Sequence, residues 1–271
     1  MIDPWLGIGL VLVILGALLA ALGRMSHRHH PEVARKTLHV SMGLVTLSFP
    51  WLFARTWPVL LLACLSMLAF LALRAYPALK LRLGPAIHRV SRASLGEMHF
   101  VLGTGAVFVL SAGDALMFCI PMLVLTLADA AAALIGTWYG RHRFAAYHGQ
   151  KTVEGSAAFF VVALGCIYLP LSLLTPAQGA EHAAVAVFVA AIATGLEATA
   201  GRGLDNLIVP VGAYVALKAS GLSGSLSAAG GSEPAASIAF LSATALIALI
   251  GILVVYWLRV PGVHGNAKQA E

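Results

Sequence analysis

Charge is what this sequence has least of. Asp, Glu, Lys and Arg together make up 10% of its 271 residues, while 60% are hydrophobic and the mean hydropathy is +0.90. A water-soluble domain of this length has no use for so much apolar surface, so the composition points to a polytopic helical membrane protein. Cysteine is scarce too: Cys64, Cys119 and Cys166 are odd in number, unclustered and set in apolar runs. That excludes a disulfide or zinc scaffold and leaves small buried hydrophobes. The phosphate-binding signatures of soluble enzymes are missing as well. There is no GxxxxGK[ST] loop, because "YHGQKT" has the Lys-Thr without the glycines, and the DFG and HRD elements of protein kinases are absent. With no internal repeat and no low-complexity tail, residues 1–271 read as a single all-α membrane domain.

A bilayer core needs roughly 20 apolar residues per helix. Runs of about that length fall at 5–23, 38–54, 57–73, 98–112, 115–138, 155–174, 183–200, 204–220 and 236–258, an expectation of eight to nine transmembrane helices. The first run lacks a basic leader and a small-residue cleavage site, so it is expected to be retained as a span. The fourth is short and carries Gly103 and Gly105 with Gly113 just beyond, and the eighth carries Pro210 and Gly212. Both are candidates for broken or re-entrant helices, which are tolerated where backbone is buried in protein or lines a cavity.

The basic residues orient the layout. With the N-terminus outside, nine crossings put 15 of the 17 Lys and Arg residues in inside segments and leave only Arg55 and Lys218 outside. This positive-inside bias places the C-terminus in the cytoplasm and predicts an inner (cell) membrane protein. It also assigns the net charge of +6 to contact with anionic lipid, with no nucleic-acid partner. "YPALKLRLGPAIHRVSRAS" (76–94) is expected to lie along the cytoplasmic interface. The Gly-, Ser- and Ala-rich stretch 220–235 reads as an outside linker.

An ionisable residue inside a span costs about 2.5–3.5 kcal/mol on insertion scales, so each one asks for a reason. Asp129 lies within the fifth span and shares one helix face with Ala133, Gly136 and Gly140. Close packing explains the small residues but not the carboxylate. Arg35, Lys36 and His39 open the second span, where basic residues are ordinary at a boundary. His27, His29 and His30 in "SHRHHP" lack helical pairing and read as a solvated loop rather than a metal site. Glu197 lies near the inner end of the seventh span. Asp205 and Asn206 open the eighth, where one of them is expected to cap the helix.

Between the fifth and sixth spans, "HGQKTVEGS" (148–156) adds Lys151, Thr152 and Glu154. Asp129, Glu154, Glu197 and Asp205 thus approach the same membrane face as Arg35, Lys36, Lys151 and Arg202, with Glu97 and Arg141 as weaker candidates. Carboxylates and cations together suit a phosphate-plus-divalent-metal site, because hard oxygen ligands hold Mg²⁺ and Lys or Arg offset phosphate charge.

These residues, in this order, resemble a known family. Arg35-Lys36-x-x-His39, Asp129-Ala130-x-Ala132 leading to Gly136-x-x-x-Gly140, Lys151-Thr152-x-Glu154-Gly155-Ser156, Glu197, and Asp205-Asn206-x-x-x-Pro210 are similar to the dolichol kinase, phytol kinase and CTP-dependent diacylglycerol kinase family. The likeness covers roughly residues 35–210. Part of it also resembles the phosphatidate cytidylyltransferases, but their long C-terminal signature is missing, which favours the kinase branch. The resemblance implies phosphoryl transfer from a nucleoside triphosphate, usually CTP, to an isoprenoid alcohol or diacylglycerol with Mg²⁺. On that reading Asp129 and Asp205 hold the metal, and Lys151 with Arg35 or Lys36 neutralises the transferred group. Gly136, Gly140, Thr152 and Asn206 contact the nucleotide. Glu154 orients Lys151 or binds metal, and Glu197 or His39 serves as base. Two rivals stand beside it: cytidylyl transfer to a lipid phosphate, and an ion-coupled transporter. The second lacks the paired broken helices that inverted repeats produce.

Overall fold

The computed structural model describes residues 2–25, 31–75, 95–147, 149–175 and 179–221. The histidine cluster at 27–30, the interfacial segment 76–94, nearly all of the linker 220–235 and the span 236–258 lie outside the described residues. Within them the chain forms helices α1 (Pro4–Met25), α2 (Pro31–Leu47), the single turn α3 (Phe49–Leu52), α4 (Trp57–Ala75) and α5 (Gly96–Ser111). There follow α6 (Ala115–Tyr139), strands β1 (Arg143–Ala146) and β2 (Gly149–Thr152), α7 (Val153–Leu174), α8 (Gly179–Thr199) and α9 (Asp205–Ala219). The chain is a helical membrane protein: among the described residues α6, α7 and α8 are long and apolar enough to cross a bilayer, with shorter apolar stretches in α1, α4 and α5.

Helix α6 is the hub. Phe118, Ile120, Met122, Leu123 and Leu125 are fully buried, so the helix is apolar on every side, as a helix enclosed by others must be. Around it stand α2, α5, α7 and α9, with α8 packed between α7 and α9, and α1 and α4 completing the side next to α2 and α5. Hydroxyls inside the bundle return to their own helices: Ser111 donates to the Val107 carbonyl and Thr194 to Ala190. Where water is absent this satisfies the polar group without a partner helix.

Two expectations about irregular helices are corrected. The fourth and eighth spans are continuous as α5 and α9, even with Pro210 inside the latter. The α5 glycine at position 103 serves contact rather than a break. A Cβ there would meet the Asn206 carbonyl and come within 3.2 Å of Leu207 Cα on α9. The irregular segment lies instead in α6, where Val124–Ala128 forms a π turn immediately before Asp129. Pro121, which lacks an N–H donor, stands just upstream. Such widened turns recur at functional sites, because they re-aim the residues that follow and release a carbonyl from the ladder.

The all-helical expectation needs one amendment. The link between the fifth and sixth spans is a two-stranded antiparallel hairpin, pairing Arg143 with Thr152 and Ala145 with Gln150. The Tyr147 amide donates to the Thr199 carbonyl at 3.1 Å, tying the hairpin to the end of α8. Thr152 then begins α7 as its N-cap, its hydroxyl accepting from the Gly155 amide at 3.1 Å.

Candidate active site

Seven charged residues converge on one cavity of about 460 Å³. Helix α2 contributes Arg35 and Lys36; α6 contributes Asp129, Ala132, Ala133, Gly136 and Thr137; the hairpin contributes Arg143, Gln150, Lys151 and Thr152. Gly155 and Ser156 at the start of α7, Glu197 near the end of α8 and Asp205 at the start of α9 close it. The volume is that of a small-molecule site, yet its lining is far more charged than usual.

Two ion pairs, one buried and one half-buried, organise it. Lys36 and Asp129, 4% and 5% exposed, meet at 2.5 Å between Nζ and Oδ2. Removing either partner would strand a charge inside the bundle. His39 Nε2 lies 3.4 Å from the same carboxylate oxygen and 3.2 Å from the Leu125 carbonyl. That carbonyl belongs to the π turn, so a proton on Nε2 serves two acceptors: the irregular backbone and the carboxylate that follows it. In the second pair Lys151 Nζ lies 2.5 Å from Glu197 Oε1 and 3.6 Å from Asp205 Oδ2, and it also donates to the Glu197 backbone carbonyl. Glu197 is buried, and its other oxygen, Oε2, has no hydrogen-bond partner among the described residues.

Local structure explains how short segments deliver these groups. Strand alternation puts Arg143, Gln150 and Thr152 on one face of the hairpin. Lys151 leaves from the other and spans to Glu197 with its long stem. Helices α6 and α7 approach at their glycines: a Cβ on Gly136 would lie 2.8 Å from Thr152 Oγ1, and one on Gly155 would lie 2.9 Å from the Ala132 carbonyl. Any larger residue would push the hairpin away from Asp129.

Arg202, Glu97 and Arg141 stand apart from the cavity lining, as do four residues given roles by the family likeness. Glu154 does not face Lys151: its carboxylate binds His142 Nδ1 at 2.7 Å and the His142 amide, closing the base of the hairpin. Gly140 packs against the Gly136 carbonyl and Thr152. Asn206 donates to the Gly96 carbonyl at 2.9 Å and joins α9 to α5. His39 sits behind Asp129. The N-cap position itself falls to Leu204, which supplies no side-chain bond, but Asp205 serves the helix start as expected, its Oδ1 accepting from the Asn206 amide at 3.1 Å while its Oδ2 faces Lys151 at the cavity. Conversely, Arg143, Gln150 and Thr137 line the cavity although the sequence singled out none of them. Strand pairing was the missing signal, since it alone sets Arg143 opposite Thr152.

Comparison with known proteins agrees with this picture. The sequence model of the Cytidylyltransferase family matches residues 1–258. The chain belongs to this family. A phytol kinase from Synechocystis sp. is 30% identical to this member of the cytidylyltransferase family over 213 residues, covering 77% of this chain and 88% of that protein. The likeness to lipid-alcohol kinases read from the motifs is therefore a true family relationship. No solved structure matches the chain.

Proposed function

We propose that the protein is a lipid-alcohol kinase that moves the γ-phosphoryl group of CTP, or another nucleoside triphosphate, to the hydroxyl of an isoprenoid alcohol or diacylglycerol. The observation that carries this reading is the pair of lysine–carboxylate contacts facing each other across one polar cavity inside an apolar bundle. The similar phytol kinase supports the alcohol as acceptor. The positive-inside distribution supports a cavity mouth on the cytoplasmic side of the cell membrane, where a soluble nucleotide and a membrane-held alcohol meet.

The donor set fits Mg²⁺. Four cations, Arg35, Lys36, Arg143 and Lys151, face three carboxylates, Asp129, Glu197 and Asp205. That near balance cannot by itself offset the several negative charges of a triphosphate. Mg²⁺ takes one or two carboxylates together with substrate phosphates and keeps its waters, so the absence of a three-ligand cluster among the described residues does not count against it. Asp129 and Asp205 would hold it, and it would supply charge neutralisation on the phosphates.

The chain's own residues do the rest by position and charge. Lys151, held between Glu197 and Asp205, meets the transferred group together with Arg35 or Lys36. Arg143 adds charge from the hairpin, and Gln150 and Thr152 offer hydrogen bonds to the nucleotide. Glu197 Oε2, the bare acceptor, takes the proton of the attacking hydroxyl. His39 is better suited to hold Asp129 and the π turn in place than to act as base, since its Nε2 already faces both.

A second reading has one observation behind it: the matching family is described by cytidylyl transfer. The test of the first is a screen of the purified protein with γ-labelled CTP and ATP against a panel of isoprenoid alcohols and diacylglycerol. Label in an alcohol phosphate is expected, and a panel that stays unlabelled with every donor overturns the proposal.

A further inference from the structure

Glu197 and Asp205 stand on different helices, and both meet Lys151. Residues 200–204 turn the chain between them, with Arg202 and Gly203 both left-handed at φ 54° and 84°. Arginine has no preference for that region, so the turn is held by what surrounds it. Helix α5 holds it at two points. His99 Nδ1 donates to the Gly203 carbonyl at 3.2 Å, and the buried Asn206 Nδ2 donates to the Gly96 carbonyl at 2.9 Å. Gly96, His99 and Gly103 are spaced to share one face of α5, and at Gly103 the backbone of α9 lies directly against it. The contacts continue into the cavity. The Asn206 amide donates to Asp205 Oδ1 at 3.1 Å, and Asp205 Oδ2 lies 3.6 Å from Lys151 Nζ. A chain of bonds therefore leads from α5 to the Lys151 ammonium, although neither His99 nor Asn206 lines the cavity.

We infer that His99 and Asn206 are positioning residues which, through the α8–α9 turn, set where Glu197 and Asp205 stand relative to Lys151 and the nucleotide phosphates. The inference rests on the proposed kinase reading. It gives Asn206 a different part from the nucleotide contact that the family likeness implies, and it brings in His99, which no motif marks. A displacement of about 1 Å among groups that act by position costs on the order of a hundredfold in rate, so a bond behind the site is enough to govern it. The same two helices supply a control. Far from the cavity, Tyr214 Oη donates to the Leu110 carbonyl at 2.6 Å, joining α9 to α5 about 12 Å along α9 from Asn206.

The experiment uses the full chain in detergent–lipid micelles, with CTP and a four-unit isoprenoid alcohol, and follows melting beside steady-state rates. Asn206→Ala and His99→Phe should each lower kcat at least tenfold and leave KM for the alcohol within twofold. His99→Asn, which keeps an N–H donor at the place of Nδ1, should recover the rate to within threefold of the wild type. Tyr214→Phe should melt earlier, as Asn206→Ala does, and keep its rate within twofold. Adding Asn206→Ala to Asp205→Asn should cost no more than a further twofold, because the first acts through the second. Binding is read separately, by equilibrium dialysis with Mn²⁺ and either CTP or inorganic tripolyphosphate. Asn206→Ala should weaken retention of the two by the same factor. Rate loss in Tyr214→Phe equal to that in Asn206→Ala would reduce both bonds to general stability and overturn the inference. So would multiplying losses in the double variant, no recovery in His99→Asn, or a binding loss confined to CTP, which would return Asn206 to the nucleotide. Failure of the wild type to phosphorylate any alcohol would instead count against the kinase reading, with the dialysis arm still deciding the part played by Asn206.

Discussion

At the scale of single residues, the account depends on charges that satisfy one another until substrate arrives. Lys36 and Asp129 are both buried, so Lys36→Met alone should destabilise the protein by about 3–5 kcal/mol. Lys36→Met combined with Asp129→Leu should recover most of that loss in detergent melting experiments while activity stays absent. Equal destabilisation by the single and double variants would contradict a paired role. Glu197→Gln should lower kcat by about 10²–10⁴-fold, the range for a positioned general base, with the fold intact. Glu154→Gln should change activity less than about threefold, because that carboxylate serves His142 and not the cavity. A larger loss in steady-state assays would return Glu154 to the site. The sequence led to Asp129 and Glu197 because a charge inside an apolar run is conspicuous, and to Lys151 and Asp205 because charged residues gather at the same membrane face. Glu154 and Asn206 stood out through the motifs they share with the family, and their spacing could not tell a cavity-facing group from one that fastens a hairpin or a helix pair.

At the scale of elements, the hairpin and the π turn set the geometry, and neither was legible. The nine residues around Lys151 have the composition of a loop, and strand pairing across so short a segment leaves no periodicity to read. Helix breaks were expected instead near Gly103 and Pro210. Gly103 instead lets α5 meet α9, and α9 runs on through Pro210, while the fully apolar sequence around Pro121 gave no sign of a widened turn. The packing of α6 against α7 makes a testable contrast. Gly155→Ala puts a Cβ 2.9 Å from the Ala132 carbonyl, whereas Gly165 on the same helix has nothing within 4 Å. The first should cost about 1–3 kcal/mol by overpacking and raise KM for the nucleotide as the hairpin shifts. Gly165→Ala should leave both within error, and equal effects in melting and KM measurements would show that the close approach is not what seats the hairpin.

At the scale of the whole molecule, long apolar runs made the helical membrane class plain. Eight of the nine expected runs coincide with helices α1, α2 with α3, and α4 to α9, and the ninth lies outside the described residues. Sidedness follows from the distribution of Lys and Arg and is open to a direct check. A cysteine at Gln150 in a background lacking Cys64, Cys119 and Cys166 should react with a membrane-impermeant maleimide in inverted vesicles and not in intact cells. Labelling of intact cells would put the cavity on the other side. The likeness of this chain to a phytol kinase, within a family described by cytidylyl transfer, leaves one question on which the account turns: which phosphate moves. Parallel reactions with α-labelled and γ-labelled CTP and an isoprenoid alcohol decide it. The account predicts that the γ label appears in the lipid and the α label stays in the nucleotide. Transfer of the α label to lipid would contradict it.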